Sequence, residues 1–96
     1  MATPKSGQKT VAAPGTELPM VVAADTFPIG GPVAIKALTT NTDLVYIGND
    51  GAGAVSSSTG YPLAAGEQII LNFVGTLTEV MIDAAVAGEG AAWLVL

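Results

Sequence analysis

Few side chains in this 96-residue sequence could take part in chemistry: eight carboxylates, three lysines, two tyrosines and scattered hydroxyls. There is no histidine or cysteine, and the basic residues are Lys5, Lys9 and Lys36, so there is no arginine. That removes an imidazole base, a thiolate nucleophile and an ordinary zinc site. It also removes the bidentate grip on phosphate or carboxylate that guanidinium groups provide. A protein that is not an enzyme and takes no cofactor is expected. Asp43, Asn49 and Asp50 are the nearest approach to a calcium loop, but two carboxylates in one loop fall short of the ~6–8 oxygens that Ca²⁺ takes. No metal is expected there. Tyr46, Tyr61 and Trp93 could in principle serve as stacking platforms for sugars. Tyr46 and Trp93 fall in stretches that read as strands and so as core, which leaves Tyr61, beside a loop, free to contact a partner.

Charge narrows the partners. The net charge is −5, and from Met20 to Leu96 Lys36 stands alone against acidic residues. Such a body repels a phosphate backbone, and no nucleic acid is expected to bind it. Charged residues make up 11% of the chain, against ~25% in an ordinary soluble domain. Half of the residues are hydrophobic. Alanine inflates that fraction, but so little charge also suits a chain that hides apolar surface against another chain. No apolar stretch approaches the ~20 residues of a membrane-spanning helix. Lys5 and Lys9 are followed by no apolar core of a secretory signal, so synthesis in the cytoplasm and no membrane association are expected.

The elements that must position these residues read as strands. A chain of this length makes one domain, and without cysteine no disulfide can reinforce it. Residues 1–19, with Pro4, Gly7, Pro14, Gly15 and Pro19, read as an extended N-terminal arm, either frayed or laid along a neighbour. Lys5 and Lys9 would be its contacts with an acidic surface. Residues 20–96 read as the folded domain. Strands are expected at Met20–Ala24, at Val33–Leu38 with Val33, Ile35 and Ala37 on one side and Ala34, Lys36 and Leu38 on the other, and at Asp43–Gly48. In the last of these, apolar residues on both faces imply cover on both sides, from this chain or from a neighbouring subunit. A short strand over Ala54–Ser56 would interrupt the following loop. Gln68–Phe73 alternates Ile69, Leu71 and Phe73 against Gln68, Ile70 and Asn72. Glu79–Ala84 places Val80, Ile82 and Ala84 inward with Met81 and Asp83 outward, and Ala91–Leu96 closes the set. About six to seven short antiparallel strands with glycine-rich turns predict an all-β fold, a small β-sandwich or jelly-roll-like barrel.

The run Asn41–Phe73, NTDLVYIGNDGAGAVSSSTGYPLAAGEQIILNF, resembles a segment of the small β-sandwich structural proteins of tailed bacteriophage particles. The likeness lies in its "NT…VYIG…G…GYPLAAGE" pattern, followed by strands and a tryptophan-containing end, and it extends over about Val33–Leu96. It implies a capsid decoration (cement) protein on the outer surface of the phage head, a trimer bound to the major capsid protein and stabilising its lattice. A tail, neck or head-fibre component is the alternative within the particle. A carbohydrate-binding β-sandwich module, contacting sugar through Tyr61, is the alternative outside it.

Overall fold

A computed structural model describes residues 6–20, 32–49, 55–56, 59–72 and 80–95. Among these are eight strands: β1 Ser6–Val11, β2 Leu18–Pro19, β3 Val33–Ala37, β4 Val45–Asn49, β5 Tyr61–Leu63, β6 Gln68–Leu71, β7 Val80–Ala84 and β8 Glu89–Val95. The expected strand over Met20–Ala24 lies outside the described residues beyond Met20, as do Lys5, Asp50, Ala54, Phe73, Glu79 and Leu96. The short strand expected over Ala54–Ser56 is a bend at Val55 and Ser56.

The strands form two four-stranded sheets, ordered β1-β8-β3-β6 and β2-β7-β4-β5, called sheets A and B below. Every pairing is antiparallel: β1 with β8, β2 with β7, β3 with β6, β4 with β5, and β3 and β4 in turn beside β8 and β7. Partners counted inward from the two ends of the strand series therefore meet each other. A long hairpin rolled into two facing sheets gives that order, which is the jelly-roll topology of the β-sandwich.

Period-two alternation fills the space between the sheets. Val33, Ile35 and Ala37 of β3, Val45 and Ile47 of β4, Leu63 of β5, Val80, Ile82 and Ala84 of β7, and Ala91 and Trp93 of β8 form one buried cluster. Ile69 and Leu71 pack against its margin. Over Val33–Ala37, Gln68–Leu71 and Val80–Ala84 the strands thus turn inward the residues that their alternation set on one side.

Two expectations are corrected. Residues 1–19 are not uniformly an arm without strands: Ser6–Val11 pairs along its whole length with β8, and Leu18–Pro19 pairs with β7. SGQKTV contains no proline, and its last residue, Val11, is fully buried. Pro14 falls in the turn Ala13–Thr16, closed by the Thr16 N–H donating to the Ala13 carbonyl at 3.1 Å, with Gly15 at φ 92°. Proline second and a positive-φ glycine third are the requirements of a type II turn. Pro19 sits on a two-residue edge strand, where the missing N–H costs nothing.

The second correction concerns Met81 and Asp83, expected to face outward. They do lie on the outer face of sheet B, but both are buried. Met81 packs with Tyr46 and Val55, the last brought over the sheet by the β4–β5 connection. That cover explains why β4 carries apolar residues on both faces: this chain itself supplies the second layer. The Val55 N–H donates to Glu17 Oε1 at 2.9 Å, which holds the cover down.

Candidate interaction surface

The described carboxylates are occupied in holding backbone. Glu89, at the start of β8, accepts the Thr42 N–H at 2.6 Å and the Thr42 hydroxyl at 2.8 Å through Oε2, and the Asp43 N–H at 3.2 Å through Oε1. Those hydrogen bonds, the Thr42 N–H first, hold the Glu89 carboxyl below its ordinary range against an opposing contribution from burial. Beside it the Asn41 side chain imitates a strand: its Nδ2 donates to the Gly90 carbonyl at 2.8 Å, and its Oδ1 accepts the Gly90 N–H at 3.3 Å. Asp83 Oδ1 accepts from Gly15 and Ala84. Glu67 Oε1 accepts the Ala64 N–H at 2.7 Å across the turn into β6, and Asp43 Oδ1 accepts the Leu44 N–H. Each of these acids closes a turn or fixes a loop. Among the described residues no three acids come together as a metal cage.

The surface offers more. Register places Ser6, Gln8, Ala92, Leu94, Ala34, Lys36, Ile70 and Gln68 on the outer face of sheet A. Leu94 of β8 and Ile70 of the edge strand β6 are 43% and 44% exposed, with Ala34 of β3 between them. Part of this face is a shallow trough of about 430 Å³. Among the described residues Lys36 is its one ionisable side chain, and no described carboxylate lies on the face although the chain carries −5.

The residues expected to contact partners fall elsewhere. Lys9 lies in β1 opposite Ala91, half-buried, on the side of sheet A that faces the core. Tyr61 opens β5 and is 59% exposed. β1 and β5 are edge strands of different sheets, and the strand orders put them at opposite lateral sides of the sandwich. Lys9 and Tyr61 therefore do not form one site, and Lys5 lies outside the described residues. Of the three aromatic platforms weighed for sugar, Tyr46 and Trp93 are buried, which leaves Tyr61 alone. Sequence reasoning passed over Leu94, Ile70 and Lys36 as a joint surface. Their alternation with inward neighbours was visible, but their adjacency depends on β8, β3 and β6 being neighbours in one sheet.

Comparison with protein-family models, with curated proteins and with solved structures gave no match to this chain.

Proposed function

We propose that this protein is a structural component of a tailed-phage particle: a capsid decoration, or cement, protein that binds the outside of the head and reinforces the major capsid protein lattice. One observation carries the proposal. Among the described residues the outer face of sheet A combines exposed Leu94 and Ile70, small neighbours and a single cation, while the described acids are spent on backbone contacts. Such a face suits adhesion to another protein, and the likeness of Asn41–Phe73 to phage particle proteins supplies the partner. The acidic chain favours the outside of the head, away from packaged DNA. The resemblance implies a trimer, and the low charged fraction agrees with a closed homo-oligomer of some kind.

Co-sedimentation tests this. The purified protein is mixed with expanded heads that lack it, and saturable pelleting with the heads is expected. Pelleting with purified tails but not with heads would move the protein to the tail or neck. Binding to neither would remove the particle assignment.

A further inference from the structure

We infer that β6 is a self-association edge, and that two copies of this chain join antiparallel through it to make one continuous eight-stranded sheet. A two-sheet sandwich has four edge strands, which among the described strands are β1, β6, β2 and β5. Edges invite pairing, and folds protect them with proline, inward charge or brevity. β1 carries the inward, half-buried Lys9. β2 has two residues, one of them Pro19. β5 has three, with Pro62 at its centre. β6, Gln-Ile-Ile-Leu, has no proline, no charge and no glycine.

The directions of its backbone polar groups can be assigned. The Ala37 N–H donates to the Glu67 carbonyl at 2.9 Å, and the Leu38 N–H donates to the Gly90 carbonyl at 3.0 Å. Antiparallel ladders alternate. Odd-numbered residues of β3 therefore bond toward β6, and even-numbered ones toward β8. On β6, Ile69 and Leu71, opposite Ile35 and Val33, bond inward to the sheet. The N–H and C=O of Gln68 and Ile70 point to the open side, where no described strand pairs with them.

Self-complementarity selects a second copy as the occupant. A two-fold axis through Ile70 sets Ile70 against Ile70 of the partner copy and Gln68 against Asn72. It also sets Ile69 against Leu71, so core-facing residues meet core-facing residues and both sandwiches keep their interiors on the same side. The contact covers Ile70, 44% exposed, and completes the cover of Ile69 and Leu71, which only partly reach the core. The strand is uncharged, so no like charges oppose one another across the axis although each copy is acidic. Head-to-tail pairing of β6 with β1 meets Lys9 instead, so a dimer made at this edge stands in place of the trimer that the resemblance implies.

Sedimentation velocity across a range of protein concentrations tests this, using the native chain, Ile70→Pro and Ile70→Lys. The contact is small against the ~1,600 Å² of a stable interface, so a reversible, concentration-dependent dimer is expected, at twice the 9.5 kDa of the chain. Ile70→Pro removes only the outward donor and leaves the β3 ladder intact, as edge prolines do. It should weaken the dimer at least tenfold while the circular dichroism spectrum stays that of the native chain. Ile70→Lys should do the same, which covers the case in which the proline variant fails to fold. A monomer at every concentration, a trimer, or a dimer that survives both substitutions would overturn the inference. Because no heads are involved, any of those results leaves the cement assignment standing.

Discussion

Thr42 donates twice to one oxygen of Glu89, from its backbone N–H at 2.6 Å and from its hydroxyl at 2.8 Å. The two residues are 47 positions apart in the chain. They tie the β3–β4 connection to the first residue of β8 and so lock the two sheets together at one end of the sandwich.

This tie makes stability depend on pH. The Glu89 carboxyl lies below its ordinary value of about 4.5 in the folded protein, chiefly because of the Thr42 N–H. A depressed folded value means that the contribution is complete above the unfolded value and is lost as pH falls through the folded one. Stability should therefore drop on acidification below about pH 4.5. Glu89→Gln should be less stable than the native chain at neutral pH, and the gap between them should close in acid. Urea midpoints of both proteins between neutral pH and pH 3 or so check this; parallel pH curves would contradict it.

Asn41 and Gly90 give a second test of the same corner. Gly90 is buried, and a Cβ built there would overlap the Lys9 carbonyl oxygen. Since the obstacle is backbone, Gly90→Ala should cost roughly 3 kcal/mol, the upper part of the range for overpacking. Asn41→Ala leaves the Gly90 N–H without its acceptor in a buried setting and should cost about 1–3 kcal/mol. Denaturant unfolding measures both. A loss below about 0.5 kcal/mol in either, the size of an ordinary surface change, would show that the corner is not held in this way.

How much of this was legible beforehand differs by element. β3, β6 and β7 could be read because Val33/Ile35/Ala37, Ile69/Leu71 and Val80/Ile82/Ala84 alternate strictly, and a two-residue period has one physical cause, a half-buried sheet. β1 could not, because SGQKTV offers only Val11 as a hydrophobic anchor. Its strand conformation comes from a partner, β8, about eighty residues away in the chain. The one local signal was Pro14-Gly15, a turn signature placed between two segments that both proved to be strands. The burial of Met81 and Asp83 was likewise hidden, since what covers them, Val55 and the Gly15 turn, arrives from distant parts of the chain. The apolar face of sheet A follows the same logic: each strand shows its outward residues, but only the strand order makes them neighbours.

Tyr61 separates the adhesive account from a sugar-binding one. The residue is 59% exposed, so Tyr61→Ala should change stability by less than about 0.5 kcal/mol. A glycan array probed with the native chain should give no saturable binding. Saturable binding that Tyr61→Ala abolishes would replace the cement protein with a carbohydrate-binding module.

The central claim is that this domain cements a phage head, and the temperature at which heads rupture tests it most directly. Expanded heads lacking the protein are heated with and without a saturating amount of it, and DNA release is followed by dye fluorescence. The account predicts a higher rupture temperature with the native chain and a smaller rise with Leu94→Lys, which puts a charge at the centre of the sheet A face. An unchanged rupture temperature at full occupancy of the heads would contradict it.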